Sequence, residues 1–170
     1  MKILVFSDSH GDCETMKSII KKHRRAEVII FCGDGGRDFN EMRVLFPDKA
    51  FFGVSGNCDW CSDLPAYQDF ELCGKRFFIT HGHMFGVKQG LSRLTELGRS
   101  NRFDIVIFGH THQQLTSAEG AMILMNPGSV GYNEEYSILD INEKTGVVTA
   151  TEYPHSDFPP LKMNTVSDMV

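Results

Sequence analysis

The chain has 170 residues, 23% of them charged, and a formal net charge of −5. That length fits one domain with a sizeable core, with no need of a second domain or of disulfide staples. The acidic balance disfavours a nucleic-acid partner, which ordinarily calls for a basic patch, and no apolar run approaches the length of a membrane span.

Lys2 to Phe6 reads as a short buried strand. It starts almost at Met1 and ends in the polar Ser7-Asp8, which leaves no room for a cleavable signal sequence. The five cysteines (Cys13, Cys32, Cys58, Cys61 and Cys73) are odd in number and show no paired framework, so reduced thiols in a cytoplasmic protein are expected. Glu14 to Arg25 reads as a helix with Met16, Ile19 and Ile20 on one stripe, Val28 to Cys32 as a second buried strand, Asn40 to Leu45 as a short helix and Ala50 to Val54 as a third strand. This β-α-β-α-β order favours a parallel sheet with right-handed crossovers.

The pattern then changes. Phe70 to Leu72 and Arg76 to Ile79 flank Cys73-Gly74-Lys75, a hairpin signal. Val87 to Asn101 reads as a helix and Asp104 to Phe108 as a buried strand. Strand-like runs follow at Gln114 to Ala118, Met122 to Met125, Tyr136 to Ile141 and Val147 to Glu152, with a loop over Asn126 to Asn133. A parallel first half and an antiparallel second half predict two sheets packed face to face with helices outside. Residues 1–153 are expected to form the single domain and residues 154–170 a loosely held tail or contact segment.

Polar clusters stand at the ends of these apolar runs: Asp8-Ser9-His10, Gly33-Asp34, Gly56-Asn57, His81, and His110-Thr111-His112. Open α/β sheets hold their ligands at the carboxyl ends of strands. Residues i and i+2 of a strand point to one side, so Asp8 with His10, and His110 with His112, are each expected to address one site. Each cluster alone has an ordinary reading as an N-cap or a turn. Together they offer two carboxylates, one amide and four imidazoles, hard and borderline donors suited to divalent cations that activate water. The spacing alone leaves open which ligand serves which metal.

With its Asp-x-His, Gly-Asp, Gly-Asn, His and Gly-His-x-His pattern over residues 8 to 112, the chain resembles the calcineurin-like metallophosphoesterases. It is most similar to the small YfcE-like phosphodiesterase branch, and the likeness continues through Asn126-Pro127-Gly128-Ser129 to the final strands. The resemblance implies an α/β fold, a four-layer αββα sandwich of two mixed β-sheets flanked by helices. It also implies two divalent metal ions: Asp8, His10, Asp34 and His112 around one, and Asp34, Asn57, His81 and His110 around the other, with Asp34 bridging. Two such cations bring four positive charges against two from the carboxylates, and a bridging hydroxide with a phosphate anion balances the remainder. Mn²⁺ is favoured by the resemblance, and Ni²⁺, Fe or Zn²⁺ also suit the donor set.

The expected reaction is hydrolysis of small phosphodiesters by in-line attack of the bridging hydroxide, with Asn57, Cys58 and His81 as the catalytic candidates. A phosphomonoesterase or nuclease on the same site is the alternative enzyme. The alternative to catalysis is a protein-interaction scaffold like the retromer subunit of similar fold, though all seven ligand positions are filled here. Self-association into a homo-oligomer is left open.

Cys58 stands where many relatives carry a leaving-group histidine, which puts acid assistance by Cys58 or Asp59 in question and favours good leaving groups. Cys58-Asp59-Trp60-Cys61 could also be a redox pair, but a wall of the active site is the expectation, with Trp60 over substrate or packed on the scaffold. His83 is expected beside the ligands rather than among them, His23 on a solvated face and His155 in the tail. Arg37 is expected either to reach a phosphate or to be a plain loop residue, and Asn126 to Ser129 to form a turn beneath the site.

Overall fold

The structure, a computed structural model, describes residues 1–154 and 160–164. Strand β1 (Lys2–Phe6) runs parallel to β2 (Val28–Phe31), and β2 to β3 (Ala50–Gly53). Their connections are helix α1 (Cys13–Lys22) and helix α2 (Gly36–Leu45). Alternation along the strands decides both faces: Ile3, Val5, Val28 and Ile30 enter one cluster, whereas Leu4, Phe6, Ile29 and Phe31 enter another with Met16, Ile20, Phe39 and Met42 of the helices.

The second sheet begins with the hairpin of β4 (Tyr67–Leu72) and β5 (Lys75–Thr80). Its two loop residues, Cys73 and Gly74, both have positive φ (52° and 69°), the backbone of a type I′ hairpin turn. After α3 (Ser92–Ser100) come β6 (Ile105–Ile107), β7 (Gln114–Glu119) and β8 (Met122–Pro127), in the spatial order β4-β5-β6-β8-β7. Phe78, Val106 and Leu124 meet Leu94 of α3 on its outer face. A short helix α4 (Val130–Asn133) then leads to β9 (Tyr136–Ile141) and β10 (Val147–Tyr153). Phe77, Ile79, Ile107, Ile123 and Met125 join Ile3, Val5, Leu139 and Val148 between the sheets, so the layers are helix, sheet, sheet, helix.

Several sequence expectations change. The chain halves do not map onto the sheets, because β9 returns to pair antiparallel with β1, giving the order β11-β10-β9-β1-β2-β3. β11 (Leu161–Asn164), within the segment expected to be a tail, is the edge strand on β10, whereas His155 and Pro159 lie outside the described residues. The third helix starts at Ser92 and not at Val87, since Gly86 (φ 66°) and Gly90 (φ 148°) break the approach to it. The second helix starts at Gly36 and not at Asn40, for a reason found in the site. Among the described residues no helix is long and apolar enough to cross a membrane.

Candidate metal centre

The loops after β1, β2, β3, β5 and β6 meet at one edge of the sandwich, bringing together the seven residues singled out by sequence. Asp34 is central. Its carboxylate falls in one donor group with Asp8 and His81, and in another with His10 and Cys58; Asp8, His10 and His112 form a third. On one side, Asp8 Oδ1 lies 3.0 Å from His112 Nε2 and 3.9 Å from His10 Nε2, and these two ring nitrogens are 3.4 Å apart. On the other, His81 Nε2 lies 3.4 Å from Asp34 Oδ2, 3.1 Å from Asn57 Oδ1 and 3.2 Å from His110 Nδ1.

Spacing misled in one respect. His110 and His112 do not share a group: His110 faces His81, and His112 faces Asp8 and His10. The strand argument fails because these residues are not extended. Asp8, His10, Asp34, His110 and His112 all have left-handed backbone, with φ between 47° and 69°. Such values are uncommon outside glycine and concentrate where function holds the chain in place.

The loops are held by side chains whose roles were not legible locally. Asp59, considered above as a leaving-group acid, is spent on backbone: Oδ2 accepts from the N–H of Asp34 (2.9 Å) and Gly56 (2.8 Å), and Oδ1 from Gly35 (2.9 Å) and Gly36 (2.8 Å). This cap reaches the start of α2 from the next loop, so the helix begins at a Gly-Gly pair that alone reads as loop. Asp38 likewise accepts from Ser9 Oγ (2.6 Å) and Gly11 N–H (2.9 Å). Asn126 lies beneath the site, donating to the Gly109 carbonyl and Thr111 Oγ1, and Ser129 Oγ donates to the Asp8 carbonyl. Close approach is required at Gly109, where a Cβ would stand 1.9 Å from Ser7 Oγ.

The donor set fits divalent cations on three observations. His81 Nδ1 lies 2.7 Å from the Cys32 carbonyl, which accepts its proton and leaves the Nε2 lone pair toward the donors. Asp8 Oδ1 is fully buried and accepts no hydrogen bond among the described residues, although His112 Nε2 is 3.0 Å away. Two pairs of ring nitrogens face each other, an arrangement that needs a proton or a cation between them.

Burial and the neighbouring charges shift the donors in both directions. Burial raises the Asp8 carboxyl against the pull of His81, Ser7 and His112. Burial would also raise Asp34, but hydrogen bonds from His81 and the Cys58 amide outweigh it and hold the carboxyl well below its usual range. Burial opposes charge on His81, yet Asp34 and Asp8 prevail and raise it. His110, partly buried and beside His81 and Lys88, is pushed down to about 4.

A groove of about 540 Å³ opens beside the donors, lined by His10, Asp34, Arg37, Cys58 and Trp60 among others. Trp60 is 86% exposed, so it does not pack on the scaffold. Tyr132, which sequence reasoning missed, stands on the other flank with its ring 5.2 Å from His10 and 5.1 Å from His112. His83 lies beside the candidate donors, its ring 5.4 Å from His81 and 6.1 Å from His110. His23, expected to be solvated, instead bonds Tyr136 Oη through Nε2 at 2.9 Å. All five cysteines are free thiols.

Two mixed sheets between helices, with oxygen and imidazole donors gathered at the carboxyl ends of the strands, are the build of a metallophosphoesterase. Residues 1–144 match the calcineurin-like phosphoesterase superfamily domain, and the chain belongs to that family. It is 29% identical over 155 residues to the probable metallophosphoesterase YsnB of Bacillus subtilis (strain 168), covering 87% of this chain and 89% of that protein. Phosphodiesterase YfcE of Escherichia coli (strain K12) is 26% identical over 185 residues, covering 89% and 94%. Vps29 from Entamoeba histolytica, solved in complex with zinc, shares the fold with a TM-score of 0.73 at 19% identity, covering 98% of this chain and all of that one. The family acts through divalent metal ions, and the chain is a hydrolase of the small YfcE-like branch.

Proposed function

We propose that the protein hydrolyses small phosphodiesters at a dinuclear centre, with Asp8, His10, Asp34 and His112 around one cation and Asp34, Asn57, His81 and His110 around the other. The observation that carries this reading is the position of Asp34, whose carboxylate is shared between donor groups on both sides. Bound there, divalent cations supply Lewis-acid charge and a source of hydroxide at neutral pH. The remaining contributions come from the chain. His81 is fixed in one tautomer by the Cys32 carbonyl, Asn57 presents its oxygen to the same side, and His10 stands where the groove delivers a phosphoryl group to the donors. Mn²⁺ is the favoured metal by resemblance, and the zinc complex of Vps29 supports Zn²⁺ as an alternative.

Neither Asp59 nor Cys58 is set up to protonate a leaving group. Asp59 is committed to four backbone amides, and burial and the neighbouring Asp34 raise the Cys58 thiol above its ordinary range. An activated aryl diester should therefore turn over much faster than an alkyl one. The test is to load metal-free protein with Mn²⁺ and assay aryl and alkyl diesters, a phosphomonoester and a cyclic nucleotide. Metal-dependent cleavage led by the aryl diester is the expected result. Preference for the monoester would favour phosphomonoesterase activity, and no turnover of any ester with metal bound would favour the scaffold reading.

A further inference from the structure

Cys58 brings a soft donor to a site otherwise made of oxygen and imidazole. Its Sγ, a ring nitrogen of His10 and a carboxylate oxygen of Asp34 all lie within 4.8 Å of one another. Metal–sulfur bonds of about 2.3 Å and metal–nitrogen bonds of about 2.0–2.1 Å allow two donors on one cation to stand up to about 4.4 Å apart. Around one cation at tetrahedral angles those bond lengths set donors about 3.6 Å apart, so closing of the three separations by up to about 1.2 Å seats all three on a single ion.

The cysteine is positioned twice over. Its own N–H donates to Asp34 Oδ1 at 2.7 Å, and Asn57 Nδ2 donates to its Sγ at 3.3 Å. The second bond leaves Asn57 Oδ1 facing His81 Nε2, so one amide serves both sides of the centre. Packing does not explain the placement, because Cys58 is exposed and belongs to none of the three apolar clusters.

Resting on the dinuclear reading above, we infer that Cys58 is itself a metal ligand, coordinating through Sγ the cation held by Asp8, His10, Asp34 and His112. Its thiol proton passes to solvent on coordination. A sulfur donor biases that position toward borderline cations such as Zn²⁺, Co²⁺ and Fe²⁺ and away from Mn²⁺, while the His81 side keeps an oxygen and nitrogen set. The two positions of the centre then differ in metal preference.

Cobalt provides the test, with a readout independent of turnover. Metal-free protein is loaded with Co²⁺, bound cobalt is counted by equilibrium dialysis, and the near-ultraviolet absorption is recorded. Wild type should show a sulfur-to-cobalt charge-transfer band. Cys58→Ser should bind the same amount of cobalt and lose the band, whereas Cys61→Ser should keep it. Two cobalt ions bound without a band overturn the inference and leave the dinuclear reading standing. Loss of the band in Cys61→Ser but not in Cys58→Ser also overturns it. Failure to bind Co²⁺ or any other divalent cation overturns the dinuclear reading, and this inference with it.

Discussion

The imidazoles on the two sides of Asp34 are held in different ways. His81 is fully buried, and the Cys32 carbonyl fixes its second nitrogen at 2.7 Å. His10 and His112 stand toward solvent. Among the described residues no hydrogen bond ties their Nδ1 atoms, and the bracing comes from the ring of Tyr132. An imidazole tied through its far nitrogen is set in tautomer and direction, whereas one leaning on an aromatic ring keeps rotational freedom. His81 is therefore set in place before any ligand arrives, whereas His10 and His112, beside the groove, keep freedom to adjust.

The largest effect should separate the two sides. His81→Ala and Asn57→Ala should each lower turnover by more than about 10²-fold, the scale on which one preorganised stabilising group acts. Circular dichroism should show the fold largely intact. His10→Ala should lose less and recover part of its rate at raised metal concentration. Near-wild-type rates in both His81→Ala and Asn57→Ala, assayed with Mn²⁺, would break the assignment.

Next in size is the clamp that joins the loops. Removing the Asp59 carboxylate strands four backbone N–H groups, so Asp59→Ala should cost about 2–3 kcal/mol. In a chain of this length that lowers the melting temperature by roughly 5–10 °C. Because the clamp carries Asp34, metal affinity measured by calorimetry should fall about 10–100-fold. Unchanged affinity alongside lost stability would reduce Asp59 to a purely structural part.

The smallest effect lies away from the centre. Burial, followed by the charges of Lys22 and Lys2, lowers the His23 imidazole below 6.5. The folded protein therefore favours the neutral ring, and as pH falls through 6.5 the unfolded chain takes up the proton first. This contribution to stability is complete above 6.5 and declines below it. Urea midpoints at pH 7.5 and 5.5 should differ less in His23→Gln than in wild type. Equal differences would show that His23 does not contribute.

Legibility from sequence followed the range of the interactions. β1, β2 and β3 and the polar clusters behind them could be read because a buried strand is a continuous apolar run and its end is marked by the first polar residue. The start of α2 could not, since its cap comes from Asp59, 23 residues beyond Gly36. Nor was the parting of His110 from His112 legible in their spacing, although the family resemblance implied it, because left-handed backbone at a histidine has no signature in its neighbours. Tyr132 was hidden for a similar reason: an aromatic in a Gly-Tyr-Asn run shows nothing of the two rings it will lean on.

A chain with no chemistry to perform would carry glycine at the five donor positions with left-handed backbone. Aspartate and histidine stand there against the grain of the main chain, at about 1–2 kcal/mol each. Durability and usefulness thus compete at single residues. Glycine at His112 should give a protein that no longer works but withstands heat better than one with alanine there, by about 1 kcal/mol, since alanine discards the imidazole and keeps the strain.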